Sequence, residues 1–471
     1  MRLFEIMITV LSIGMLWHVI WYRKRLTRWL GMLLPLLLIG GSICHFIVEG
    51  GRWQMVFVYF SIGIVLLVYL IRELRPVSEQ KNSKLAAFLL SFIALPYSVI
   101  AAGLPCLLPV FSLEKPTGPY KVGTVNYSWL DENREIEQGE PRRINVQIWY
   151  PAELDSTSQK APYISHLTVL SEALEKQFDT PKWLFRYFDL VETNTYSEPV
   201  FANDIGKIPL VFFSHGNMTG AGFTNSFQTI ELASHGYVVA AVEHPQTALT
   251  AAYPDGSFVP FVDFFSKLPM EYDAQNVVSS RVIEEQTQDL EFALEQMKKL
   301  DEAKSNSLFA NKIDFLNVGL FGHSFGGATI VNTLYKNQLF KAGINMDGYI
   351  YGSDRTESIK QPVLLMNSDH SIDNDDLSNK MVMEEQKRRK RAFQEKAYIL
   401  DIKKAGHLNF TDFPLYSPLI AWISPDVKQN HQIVNEATIC FFDQNLKESS
   451  DCSLESLISM YPKINFRKGD E

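Results

Sequence analysis

Apolar residues are unevenly spread along the 471-residue chain. Four long apolar stretches come first, at about 3–21, 29–47, 53–71 and 85–111. Each can cross a hydrocarbon core about 30 Å thick, which takes roughly 20 helical residues. A cleaved leader accounts for one such stretch, not four, and the first lacks a small-residue cleavage signal. Trp21, Trp29 and Trp53 fall at the ends of stretches, where indole rings favour the membrane interface. Pro96 and Pro105 interrupt the fourth, making it the least regular. The pattern predicts a transmembrane region over 1–114 and a globular domain over 115–471.

Beyond residue 115 the apolar runs shorten and alternate with helical spacing. Ile144–Tyr150, Pro209–Ser214, Tyr237–Glu243 and Asn317–His323 read as strands, as do Ala342–Asp347, Pro362–Asp369 and Ala397–Ile402. Phe227–His235, closed by Gly236, and Val278–Leu300 read as helices. Short apolar strands alternating with helices predict an α/β fold whose mostly parallel sheet is covered on both faces. Two stretches break the repeat: 152–205, with its Trp183–Phe188 aromatic run, and 252–273, with Phe258, Phe261, Phe264 and Phe265. Burial in the domain core is the favoured reading of each, with a lid or a membrane-facing patch over a site as the alternatives.

Charge separates the same two parts. Residues 1–115 hold eleven Lys/Arg and five Asp/Glu, so they carry about +6 and the remainder about −15. An acidic globular part argues against nucleic acid as a partner, because phosphate binding needs a basic surface. The loop after the first stretch carries Arg23, Lys24, Arg25 and Arg28. The loop after the third carries Arg72, Arg75, Lys81 and Lys84, whereas the second loop has Arg52 alone. The positive-inside rule makes the first and third loops cytoplasmic and the globular domain extracytoplasmic, a multi-pass cell-membrane protein. The domain is cytoplasmic instead if the fourth stretch does not cross. No internal pair of ionisable residues stands out within the stretches, which favours an anchor over a transport path. Cys44, Cys106, Cys440 and Cys452 lack metal-site spacing, and Cys440 with Cys452 suits a disulfide on an oxidising side. No metal or cofactor is expected.

Gly322-His323-Ser324-Phe325-Gly326 carries the candidate chemistry. It follows the apolar run Val318–Phe321 and precedes Gly327-Ala328-Thr329-Ile330, a strand–turn–helix context that exposes a serine hydroxyl on a sharp elbow. A serine hydroxyl needs a base. His407, in the loop after Tyr398–Ile402, is the first candidate and His370 the second; His323 neighbours the nucleophile but points elsewhere, and His215 and His244 close earlier strands. The acid that orients the base is Asp347 or Asp369, each ending a strand, with position slightly favouring Asp369. The N–H groups of Phe325 and Asn217, the latter in Ser214-His215-Gly216-Asn217, are the candidate oxyanion donors.

Several of these segments together resemble the platelet-activating-factor acetylhydrolase family of the plasma and intracellular type II group. The likeness spans about 117–413. Its motifs are Thr117-Gly118-Pro119-Tyr120, Gln147–Pro151, Phe213–Gly216, the long Leu232–His244 stretch, Gly322–Thr329, Met346-Asp347-Gly348 and Gly406–Phe413. The resemblance implies an α/β-hydrolase fold, a calcium-independent esterase, Asp347 rather than Asp369 as the acid, and Asn217 as the second oxyanion donor. Asn217 stands where the family carries a more apolar residue, Pro245 where relatives often carry a basic one, and the four apolar stretches are not part of the familiar secreted enzymes.

The expectation is a membrane-bound serine ester hydrolase using Ser324, His407 and Asp347, with a lipid or small ester as substrate. The favoured substrate is a phospholipid bearing a short or oxidised acyl chain. The alternatives are an esterase for soluble or polymeric esters and a non-catalytic lipid sensor. The basic run Lys387–Arg391 reads as a solvated helix face, or else a contact for anionic headgroups.

Overall fold

A computed structural model describes residues 1–471 apart from 23–26, 75–83, 137–138, 270, 304–306, 353–354, 370–379, 395, 450–451 and 470–471. Arg23, Lys24, Arg25, Arg75, Lys81 and the alternative base His370 therefore lie outside the described residues. The chain forms two compact units. The first contains Met1–Phe111 together with Leu184–Val191 and Tyr416–Leu419; the second contains the rest.

The first unit is built on four helices, α1 (Leu3–Trp21), α2 (Arg28–Cys44), α3 (Val56–Leu74) and α4 (Lys84–Leu107). All four apolar stretches, with α2 extended to Glu49, are long and apolar enough to cross a membrane. Pro96 and Pro105 do not break α4, which runs through both. Much of the apolar surface points outward, Leu36, Phe92 and Ile93 included, while Ile8, Met15, Val58, Val65 and Ala101 meet inside.

The ionisable pair absent from the sequence reading is present at one end of this unit. Glu5, fully buried, receives Arg52 Nε at 2.7 Å and Nη2 at 3.0 Å. Arg52 also donates to the Pro105 and Leu108 carbonyls. His45 bridges Glu49 Oε2 at 2.9 Å and the Tyr59 hydroxyl at 2.7 Å. The ligand atoms of Glu5, His45 and Glu49 come within 4.8 Å of one another, but arginine and main-chain donors already occupy the carboxylates. A buried charge is tolerated when it is paired and hydrogen-bonded, and this one is.

Among the described residues the second unit has thirteen strands: β1 (Lys121–Glu135), β2 (Pro141–Glu153), β3 (Thr195–Ser197), β4 (Val200–Phe201), β5 (Ile208–Ser214), β6 (Val238–Glu243), β7 (Thr250–Ala252), β8 (Phe258–Pro260), β9 (Ile313–His323), β10 (Phe340–Met346), β11 (Val363–Asn367), β12 (Ala397–Ile402) and β13 (Ile464–Lys468). Eleven form one sheet in the order β13-β12-β11-β10-β9-β5-β6-β2-β1-β3, with β4 beside β2. The six strands from β12 to β6 are parallel; β13 and β2 join antiparallel at either side. The expected mostly parallel α/β sheet is therefore the observed one. β1, β3, β4, β7, β8 and β13 were not expected.

Alternation explains why β5 is apolar throughout. Leu210 and Phe212 pack with Leu290 and Leu294 of α7 (Tyr272–Glu302) and Ile330 of α8 (Phe325–Lys336). Phe213 instead meets the ring of Phe321, which in turn faces Phe442 on the helix Val427–Leu446. A strand covered on both faces carries side chains that are each worth roughly 1.5–3 kcal/mol on burial. The central strands end at Ser214, Glu243, His323 and Met346, so their carboxyl edge gathers the candidate residues.

Candidate active site

Ser324 occupies the turn between β9 and α8 with φ 55° and ψ −119°, a strained conformation for a residue with a side chain. The flanking glycines permit it. A Cβ on Gly326 would meet the Ser214 carbonyl oxygen at 2.0 Å, and one on Gly322 would meet the Gly326 backbone at 2.5 Å. The Ser324 N–H donates to Met346 O at 2.8 Å, tying the elbow to the end of β10.

The next residue after β10 is Asp347, also at positive φ, with its N–H bonded to Met366 O on β11. Its carboxylate Oδ2 lies 2.6 Å from His407 Nδ1 and accepts from the Ser368 hydroxyl; Oδ1 accepts from the Ser368 N–H. Burial pushes the Asp347 carboxyl upward, but the His407 bond and charge and the Ser368 donors outweigh it and hold the group below its usual range. A carboxylate accepts only, so the proton of the short bond sits on Nδ1 and Nε2 keeps its lone pair. The His407 side chain is 46% exposed, so this nitrogen is reachable. Ser324, Asp347 and His407 line one open cleft of about 780 Å³ with Phe325, Tyr349 and Tyr351.

Asp369 takes no part in this pair. It accepts from the Lys404 N–H at 2.9 Å and holds the turn after β12. His323 is not directed elsewhere as expected. Its Nε2 donates to the His407 carbonyl at 3.0 Å, and the two rings lie 4.5 Å apart. Burial, then the charge of His407, keeps His323 below the usual imidazole range and hence neutral. Asn409 supports the same loop, accepting from the Gly406 N–H and donating to the Ser424 and Pro425 carbonyls.

Gly216 lies against the nucleophile: a Cβ there would sit 3.3 Å from Ser324 Cβ. The N–H groups of the adjacent Asn217 and of Phe325, the first residue of α8, find no acceptor among the described residues. A buried network that the sequence did not announce stands behind this loop. Asp289 on α7 receives Arg142 Nε and Nη2, each at 2.7 Å, Arg134 Nη1 at 2.8 Å and His244 Nδ1 at 2.9 Å. His244 Nε2 meets the Ser214 hydroxyl, and the His244 N–H donates to His215 Nε2. The histidines read as strand ends thus brace the Ser214–Asn217 turn. Against the cost of burial, Arg142 and His244 hold the Asp289 carboxyl well below its usual range.

The two irregular stretches have distinct fates. Tyr187 and Phe188 are buried in the first unit. Phe264 and Phe265 pack on Phe325 and Ala328 beside the elbow, with the Phe265 and Phe325 rings 6.0 Å apart. The Lys387–Arg391 run is more than a solvated face. Arg389 on α9 (Lys380–Ala392) bonds Glu385, Asn367 Oδ1 and the Gly348 carbonyl, and Arg388 is buried.

The parallel sheet, the strained serine turn and the acid and imidazole at the carboxyl edge define an α/β-hydrolase. A solved ferulic acid esterase from Streptomyces cinnamoneus shares the fold, with a TM-score of 0.61 and 21% identity over 76% of this chain and 100% of that one. The chain belongs to the family described as platelet-activating factor acetylhydrolase, isoform II, whose model matches residues 109–457, and it is an ester hydrolase. The platelet-activating factor acetylhydrolase of Cavia porcellus is 27% identical over 71% of this chain and 78% of its own length. That of Bos taurus is 28% identical over 52% and 59%. A probable 1-alkyl-2-acetylglycerophosphocholine esterase of Arthroderma benhamiae is 25% identical over 55% and 64%.

Proposed function

We propose that the chain is a membrane-embedded serine esterase acting on phospholipids with short or oxidised acyl chains. Ser324 Oγ attacks the ester carbonyl carbon while His407 Nε2 takes its proton. The N–H groups of Asn217 and Phe325 receive the tetrahedral oxyanion. The intermediate collapses to an acyl-serine, and His407 protonates the departing alkoxide. Water, deprotonated by His407, then attacks the acyl carbon and restores Ser324. Asp347 keeps the imidazole in the required tautomer and stabilises its protonated form.

The observation that carries this reading is the shared cleft of Ser324, at its strained φ, with the 2.6 Å His407–Asp347 pair. The substrate class follows from the names of the relatives and from the aromatic walls that Phe325, Tyr349 and Tyr351 give the cleft. The membrane reading rests on the four apolar helices and their outward-facing side chains. The disulfide between Cys440 and Cys452 supports an extracytoplasmic domain, because such bonds persist in oxidising compartments.

Labelling of the purified full chain with a fluorophosphonate probe tests the chemistry. Wild type labels and Ser324→Ala does not; a wild type that stays unlabelled in both detergent and vesicles removes the enzyme reading. Turnover of short-acyl phosphatidylcholine in vesicles, compared with a soluble nitrophenyl ester, tests the substrate class. Protease accessibility in intact cells tests the orientation.

A further inference from the structure

A second cleft, of about 570 Å³, shares no lining residue with the one around Ser324. Its floor is a patch of sheet on which polar side chains stand in register. Asn126 of β1 pairs with Gln147 of β2, Gln147 with Ala241 of β6, and Asn145 with Glu243. Residues of one face recur at every second position, so Asn145 with Gln147, and Ala241 with Glu243, point the same way. The helix α5 (Leu167–Phe178), the Ala221–Phe223 segment and β7 supply the walls.

The floor offers acceptors. Asn145 Nδ2 donates to the Ala252 carbonyl at 2.8 Å, Gln147 Nε2 to the Thr124 hydroxyl at 3.1 Å and Asn126 Nδ2 to the Ser165 hydroxyl at 3.0 Å. Each amide nitrogen gives one of its two N–H groups to the protein, and the three amide oxygens receive no donor among the described residues. The Glu243 carboxylate receives no donor among the described residues, and no lysine or arginine lines the cleft. Burial pushes the Glu243 carboxyl up to about 8, with no opposing charge to lower it. Tyr127, Phe223 and Leu170 add aromatic and aliphatic wall. A half-buried carboxylate without a partner is costly, and an incoming cation lowers that cost.

We propose that this cleft is a second ligand site, taking a small organic cation with N–H donors, a primary amine, with Glu243 as its counter-ion. The amide oxygens select for N–H donors, which a quaternary ammonium lacks. The aromatic walls suit a cation with a short apolar stem. This assignment stands independently of the esterase chemistry.

Glu243 is the group that changes charge across neutral pH here. The titratable neighbours are His166 at the start of α5, Tyr127 of β1 and Tyr253 after β7. Burial holds His166 below its usual range and the two tyrosines above theirs. Arg143, stacked on Tyr253, is paired with Asp255.

The test is calorimetric titration of the purified full chain with ethanolamine and n-butylamine, and with choline as the quaternary comparator. The proposal expects saturable binding of both primary amines, tightening on the order of tenfold from pH 6.5 to 8.5 as Glu243 ionises. It expects choline to bind at least tenfold more weakly. Glu243→Gln, an isostere of the protonated acid that keeps the neutral fold, loses amine binding, while Ser324→Ala retains it. Four results overturn the proposal: no binding at millimolar amine, affinity flat with pH, choline equal to ethanolamine, or loss of binding in Ser324→Ala, which would put the amine in the catalytic cleft. The pH series on wild type decides the matter even where Glu243→Gln fails to fold.

Discussion

Asp347 Oδ2 lies 2.6 Å from His407 Nδ1, whereas Asp369, just past the end of the neighbouring strand, accepts from the Lys404 main chain. Asp347→Asn presents an amide to Nδ1 and favours the wrong tautomer. Its kcat on a short-chain ester falls about 10²–10⁴-fold, while Asp369→Asn stays within a few-fold of wild type. Steady-state kinetics of the two variants check this, and the reverse pattern would move the acid to Asp369.

That contrast shows where sequence information ends. The elbow is legible because a serine between spaced glycines, after an apolar run and before small helix formers, admits few local structures. The acid is not: Asp347 and Asp369 each close a predicted strand, and residue pattern alone leans to Asp369, which the structure leaves unpaired with His407. Nor is the Asp289–Arg142 pair visible, since 147 residues separate its members. The strand Lys121–Glu135 escapes because its solvent-facing positions dilute the apolar signal. Pro96 and Pro105 mislead in the other direction, since α4 continues through both.

The elbow has no room for a side chain at Gly326. Gly326→Ala drives a methyl against Ser214 O, and neither backbone can yield without moving the strand. The expected cost is about 1–3 kcal/mol or more, read as a lower midpoint in thermal denaturation, together with loss of fluorophosphonate labelling.

Asp412 gives a pH signature. Its carboxylate, fully buried, accepts from the Ser226 and Phe227 N–H groups and the Tyr163 hydroxyl. Burial outweighs these donors and raises its pKa to about 6. The folded state then holds a proton that the unfolded state releases near pH 4. This contribution is fully present below the unfolded value and is lost as pH rises through about 6. It amounts to about 3 kcal/mol. Wild type should therefore gain stability relative to Asp412→Asn on going from pH 7.5 to 4.5. Denaturant titrations at the two pH values measure the difference, and a gap unchanged with pH refutes the assignment.

In the helical unit, Arg52→Leu leaves the Glu5 carboxylate buried with Arg2 as its remaining arginine. The loss is about 3–5 kcal/mol. The double variant Glu5→Leu/Arg52→Leu recovers most of it, because no unpaired charge remains. Unfolding of both proteins in the same detergent shows the ordering; a double variant no more stable than Arg52→Leu contradicts it.

The assignment of Leu184–Val191 and Tyr416–Leu419 to the helical unit bears on separability. Inside that unit Tyr416 stacks on Phe111, and Phe188 meets both rings edge-on. The polypeptide therefore passes between the two units five times, not once. A cut at residue 112 would part Phe188 and Tyr416 from the Phe111 ring that each meets inside the helical unit.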